Sequence, residues 1–271
     1  ATLTNPAGTP VTVTLSNGAT ITIDAGKTTG TVKVDAPKDD VYKDAGKVEV
    51  TIKEASGGNF ESLVPSTVPA VTNVADTTNI TRLTLSADLL VAEGSHITYT
   101  ATLTHAAQTE VTVTLSNGES ITIAAGKTSG SVTIAAPSDD VYRDANLLTV
   151  KMTDAQGGNF EQLNVSKIPV TTIVVDTINT TVLSLSASNT VSEGGQITYT
   201  ATLTNPTDTA MTVKLSNGAV IQIAAGEASG SINIAAPADT PYLDGGKVAA
   251  IIVSQSGGNF ENVAVNYTPA V

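Results

Sequence analysis

The feature that most constrains this chain is one passage of residues written three times at a hundred-residue spacing. Ala1-Thr2-Leu3-Thr4 returns as Ala101-Thr102-Leu103-Thr104 and as Ala201-Thr202-Leu203-Thr204. Ser16-Asn17-Gly18 and Gly57-Gly58-Asn59-Phe60-Glu61 return in step, at 116–118 and 157–161 and again at 216–218 and 257–261. Solenoid units run about 20 to 50 residues, so a period this long is a whole domain able to bury its own core. The 271 residues therefore read as three beads, 1–78, 79–178 and 179–271. The first bead has no counterpart of 81–100 and so lacks its first strand and part of its second, leaving an edge open to another chain. Tandem copies of one domain suit an extended surface protein better than an enzyme.

The second copy gives the fold. Apolar residues alternate with polar ones at the period of a strand: Leu83, Leu85, Leu89 and Val91; Ile97, Tyr99, Ala101 and Leu103; Val111, Val113 and Leu115; Ile121 and Ile123; Val132 and Ile134; Leu148, Val150 and Met152; Leu163, Val165, Ile168 and Val170. Asn117-Gly118 predicts a type I′ hairpin turn with both residues at positive φ. Seven short strands with frequent turn signals predict an immunoglobulin-like Greek-key β-sandwich, all-β and without helix. Strand direction places chain entrance and exit at opposite poles, so the beads are expected to thread into a linear rod, each spanning roughly 40 to 50 Å. The linkers around Asp76-Thr77-Thr78-Asn79 and Asp176-Thr177-Ile178-Asn179 lack the Gly/Ser richness of a floppy tether, so neighbouring beads are expected to touch.

Composition narrows the function. A net charge of −12 argues against nucleic acid and against docking to anionic lipid. No apolar run is long enough to span a membrane. With no cysteine, neither disulfides nor thiolate metal sites can hold the beads together, and bound cations are the natural substitute.

One constellation carries chemistry. In the second copy Glu93 lies in the first-to-second connection, Asp139, Asp140 and Asp144 in the fifth-to-sixth loop, and Asp176 at the exit of the seventh strand. The predicted strand directions bring all five to one pole, where carboxylates about 5 Å apart repel by roughly 3 kcal/mol per pair at an effective dielectric of 20. Calcium, which takes six to eight oxygens, suits such a set, and the Val141 carbonyl is placed to join it. The plainer reading is an Asp-rich turn capping its own amides. The first copy repeats Asp39, Asp40, Asp44 and Asp76. The third keeps Glu193, Asp239 and Asp244 but has Thr240-Pro241 in place of Asp-Val, so its cation is expected to be weaker. His96 and His105 recur in neither sister copy, no nucleophile–base pair is present, and no enzymatic activity is expected. Gly157-Gly158-Asn159-Phe160 reads as a turn that packs Phe160 at a bead junction, and Tyr42, Tyr142 and Tyr242 as covers over the core end. Asn79, Asn164, Asn179 and Asn266 carry the Asn-x-Ser/Thr pattern of glycan acceptors.

Several phrases carry a resemblance: Val91-Ala92-Glu93-Gly94, Ile97-Thr98-Tyr99-Thr100-Ala101-Thr102-Leu103-Thr104, Val111-Thr112-Val113-Thr114-Leu115-Ser116-Asn117-Gly118, and Gly126-Lys127-Thr128-Ser129-Gly130-Ser131-Val132. They resemble repeats of the Lap-type (large adhesion protein) biofilm adhesins of Gram-negative bacteria, relatives of the RTX adhesins, and more loosely the Calx-β domain. The resemblance implies a secreted, cell-surface extender segment leaving by type I secretion. It implies calcium at Glu93, Asp139, Asp140, Asp144 and Asp176, neighbouring repeats as partners within the chain, and a surface or matrix target bound elsewhere in the parent protein. The alternative is a glycan- or protein-binding adhesive module.

Overall fold

The structure, a computed structural model, describes residues 1–242 and 245–271. Among the described residues there is no helix; the chain is all-β, built as tandem β-sandwiches. It divides into two compact units, Ala1–Leu85 with Thr100–Ser131 and Met152–Ile168, and Ser86–Tyr99 with Val132–Lys151 and Pro169–Val271.

The third repeat lies wholly in the second unit. One of its sheets orders Ser229–Ala235, Gln196–Leu203, Thr180–Ala187 and Asn262–Val265, and the other Val220–Ile223, Met211–Leu215 and Ile252–Gly257. Period-two alternation turns Leu183, Ile197, Tyr199, Ala201 and Leu203 inward from the first sheet. Met211, Val213, Leu215, Ile221, Ile223 and Ile252 meet them from the second to form one core. The core is aliphatic with two aromatics, Tyr199 and Phe260, as expected of a chain without Trp.

The Asn-Gly turns differ from the type I′ expectation. Gly18, Gly118 and Gly218 have positive φ (85°, 90° and 84°), but the asparagines before them do not. Leu215 N–H bonds Ala219 O at 2.9 Å and Gly218 N–H bonds Leu215 O at 3.0 Å, a three-residue loop. It is the type I turn closed by a left-handed residue, which only glycine adopts freely. Ser216 accounts for the extra residue: its N–H and hydroxyl both pair with Ile251 backbone, at 2.9 and 3.1 Å, drawing it out of the hairpin ladder.

Sheet-switching is the other departure. In the second repeat the expected first strand divides into Ile80–Ala87 and Leu90–Ala92, the sixth into Asn146–Val150 and Met152–Gly157, and the seventh into Gln162–Val165 and Val170–Val175. Within the second unit, Asn146–Val150, Val170–Val175 and Leu90–Ala92 form their own sheet, in that order. Pro169, which cannot donate to a ladder, marks one of these breaks. In the first repeat, Val11–Leu15 pairs with Thr20–Ile23 and Ile52–Gly57, and Gly46–Val50 with Ala70–Val74. Its residues 29–35 are tied to the chain start by the isolated bridge Thr2↔Thr29.

Candidate metal centre

The pole of the second repeat is set by a parallel ladder. Leu90–Ala92 pairs parallel with Val170–Val175, Ala92 opposite Val175, so the residues that follow, Glu93 and Asp176, emerge at the same end. Glu93 N–H bonds Val175 O at 3.0 Å, and Gly94 N–H bonds Pro137 O at 2.7 Å, drawing in the loop that begins there. Within that loop Asp140 Oδ1 accepts the Tyr142 N–H at 2.6 Å, an Asx turn that aims Tyr142 away from its own repeat.

Tyr142 lands on the third repeat. Its ring stacks on Phe260 with centroids 5.6 Å apart, and its hydroxyl donates to Pro206 O at 2.7 Å. Arg143 N–H bonds Asn259 O at 3.0 Å and Glu261 N–H bonds Val141 O at 3.1 Å, a short antiparallel bridge around the aromatic pair. The core end that Tyr142 covers is that of the following repeat. The turn Gly257-Gly258-Asn259, at φ 91°, 87° and 56°, presents Phe260 and Glu261 together.

Glu261 brings a carboxylate to Glu93 and Asp176. One oxygen of each lies within 4.8 Å of the others. Glu93 is 4 % exposed. Neither of its oxygens meets a hydrogen-bond donor, nor does Asp176 Oδ1 or Glu261 Oε1, all of them buried. Burial first, then the neighbouring Asp144 carboxyl able to share a proton, then the charges of Asp144, Asp176 and Asp140, push Glu93 up to about 7. Buried acceptors without donors carry a large desolvation cost. Two oxygens facing each other across a calcium are about 4.6 to 5.2 Å apart, and the set is all oxygen. The residues fit a hard divalent cation, with Glu93, Asp144, Asp176 and Glu261 as the donors at hand.

The other expected ligands are engaged elsewhere. Asp139 accepts the Thr177 hydroxyl and the Asn179 side-chain amide, bonds that hold it below the usual carboxylate range, the hydroxyl contributing most. Asn179 also bonds Asp140 O at 2.7 Å, and the Val141 carbonyl takes the Glu261 amide. These bonds fasten the linker to the loop, and they occupy two of the predicted glycan-acceptor amides, since Asn79 is held in the same way by Asp39 and Asp40 O. In the first repeat Asp39 is likewise lowered, by Thr77 and then Asn79. Asp44 N–H bonds Asp76 Oδ2 at 3.2 Å, and the Asp76 carboxyl beside Asp44 is the main cause of its raised pKa. Glu193 is half-buried and Asp239 exposed; Asp244 lies outside the described residues. His105 Nδ1 meets the Thr81 hydroxyl at 3.1 Å, as the Asn205 amide meets Thr181, which marks it as a structural substitute for asparagine.

Glu161 and Glu261 lie outside the set of ligands that the sequence predicts. Their signal was present: an acidic residue closes each copy of the Gly-Gly-Asn-Phe phrase, but a turn accounts for that phrase without any ligand role for the Glu.

The fold and its recurring junctions define the chain as a run of tandem β-sandwich repeats. The family model for the LapA domain matches three times, over residues 1–77, 79–177 and 179–271. The chain belongs to that family, the repeats of Lap-type adhesins, which is not an enzymatic one. No curated protein matches the chain. No helix among the described residues is long and apolar enough to cross a membrane.

Proposed function

We propose that the chain is a run of non-catalytic extender repeats, 1–78, 79–178 and 179–271, in a large cell-surface adhesin for biofilm formation, stiffened by calcium at the repeat poles and junctions. The observation that carries this reading is the burial of Glu93, 4 % exposed and with both oxygens unpartnered, among the carboxylates of Asp144, Asp176 and Glu261. Calcium supplies positive charge there and replaces lost hydration. The protein's own residues do the rest: Asp139, Thr177 and Asn179 hold the linker against the loop, and Tyr142 seats the loop on Phe260. Joints fastened at several points resist bending, which is what projecting a distant binding region requires. The extracellular location and type I secretion belong to this reading through the family. Small-angle scattering with calcium and with chelator tests it: the maximum dimension contracts and the profile becomes more flexible when calcium is removed. An unchanged profile refutes the stiffening.

The alternative, a module that itself binds a protein or glycan, has one observation in its favour. Leu147, Ile173 and Leu90 stand in register across three strands of the second repeat, 69 %, 39 % and 60 % exposed. The sister repeats have Lys47 and Asn73, or Lys247 and Thr190, at those positions. A Leu147→Lys variant that loses binding to abiotic or glycan surfaces would favour it over the spacer reading.

A further inference from the structure

We infer that the cation site of the second repeat is completed only by the third: Glu261 supplies its closing carboxylate, so cation binding and docking of the next repeat form one coupled equilibrium. The inference rests on the calcium reading above and adds its regulation.

Three observations carry it. Glu93, Asp144 and Asp176 belong to the second repeat, whereas Glu261 arrives from the third, a hundred and sixty-eight positions beyond Glu93 in the sequence. Glu261 is fixed by the docking contacts themselves. Its N–H bonds Val141 O at 3.1 Å, its Oε2 accepts the N–H of Asn179 in the linker, and its neighbour Phe260 stacks under Tyr142. Those bonds leave Oε1 buried without a donor, in a carboxylate that brings one oxygen within 4.8 Å of Glu93 and Asp176. The arrangement also recurs. At the first junction Glu161 N–H bonds Val41 O at 3.0 Å, its Oε2 accepts the Asn79 N–H, and its charge bears on Asp44.

The consequence is reciprocal. A cation that gains a ligand from the docked repeat binds the docked state more tightly, and it must then favour docking by the same factor. An undocked pole keeps only the carboxylates of its own repeat, and affinity in such sites follows ligand charge count. Joints would therefore rigidify as units, each either docked and loaded or loosened and empty. Bead stiffness would follow external calcium, with its midpoint at a lower concentration than an isolated pole would allow.

The test uses the full chain, titrated with calcium and followed by NMR at two backbone amides. Glu93 N–H reports the ion. Arg143 N–H, bonded to Asn259 O, reports docking through its hydrogen exchange. In the wild-type chain calcium shifts the first and slows exchange of the second along one curve. Glu261→Gln keeps an oxygen for the Asn179 N–H and removes only the charged ligand. It weakens calcium at this junction by about tenfold or more, and calcium no longer slows Arg143 exchange. Phe260→Leu removes no carboxylate, so a several-fold loss of calcium affinity in that variant arises through docking alone. Wild-type affinity in both variants overturns the coupling while leaving calcium in the pole intact. Calcium-independent spectra of the wild-type chain overturn the calcium reading itself, and the coupling with it.

Discussion

At the first junction Tyr42 stacks on Phe160 at 5.8 Å; at the second Tyr142 stacks on Phe260 at 5.6 Å, both at an interplanar angle of 25°. Each tyrosine hydroxyl reaches a backbone carbonyl, Ala106 O at 2.6 Å and Pro206 O at 2.7 Å. Each linker asparagine is held by the same pair of aspartates. Their side chains are not identical: at the second junction the Arg143 guanidinium also donates to Glu261 O at 3.1 Å, where the first has Lys43. At the second junction Glu93 is buried and raised to about 7 beside Asp144, Asp176 and Glu261, and at the first Asp44, raised chiefly by the Asp76 carboxyl, stands with Asp76 and Glu161. The clasp is thus made of bonds in which Glu93 takes no part. Aromatic stacking and backbone bridges position the joint, and Glu93 decides how much negative charge it must neutralise.

The largest expected effect tests the shared part. Phe160→Ala and Phe260→Ala each remove a ring that is 4 % exposed, and each should cost about 3 to 5 kcal/mol in chemical denaturation. A large cost at one junction and none at the other would break the equivalence of the clasps.

The next effect separates the junctions. Without calcium, Glu93 keeps its proton in the folded protein up to about pH 7, whereas its ordinary value is 4.5. Its contribution is therefore fully present below pH 4.5 and is lost as pH rises through about 7, a fall on the order of 3 kcal/mol. Chelated wild-type protein should lose stability over that window, and Glu93→Gln should flatten the loss. Calcium, which needs the ionised carboxylates, should reverse the trend by stabilising the protein above pH 7. A chelated chain whose denaturation midpoint is the same at pH 5 and pH 8 would contradict the buried cluster.

Smaller effects sharpen the comparison. Asn179→Ala and Asn79→Ala each remove amide bonds to an aspartate and to a backbone carbonyl, and each should cost about 1 to 3 kcal/mol. The faster exchange they produce should appear at the Arg143 and Lys43 amides respectively. Tyr142→Phe and Tyr42→Phe remove one hydroxyl bond and keep the ring, which should cost about 0.5 to 1.5 kcal/mol at either junction. Loss of the junction in either variant would make the hydroxyl, rather than the stack, the anchor.

Much of this architecture was legible in the residues because burial enforces alternation: Val111, Val113 and Leu115 cannot face a core in any other register. The same argument brought Glu93, Asp144 and Asp176 to one pole. Three things escaped it. Strand switching at Asp88, Lys151 and Pro169 depends on which neighbour each half-strand pairs with, and alternation carries no record of partners. The division of labour among the aspartates depends on donors supplied by the linker, Thr177 and Asn179, which satisfy Asp139 and leave Asp176 Oδ1 bare. Glu261 comes from the next repeat, and a reading made within one repeat could not see a group delivered across the junction.

The most direct test is calorimetric titration of calcium into the full chain beside its Glu93→Gln variant, at pH 8. Extracellular calcium modules bind at about 0.1 to 1 mM. The wild-type chain should show a saturable site in that range that the variant lacks, together with a calcium-dependent rise in melting temperature confined to the wild type. Equal binding by both chains, or no heat from either, would contradict the claim that the buried Glu93 cluster is built around a cation.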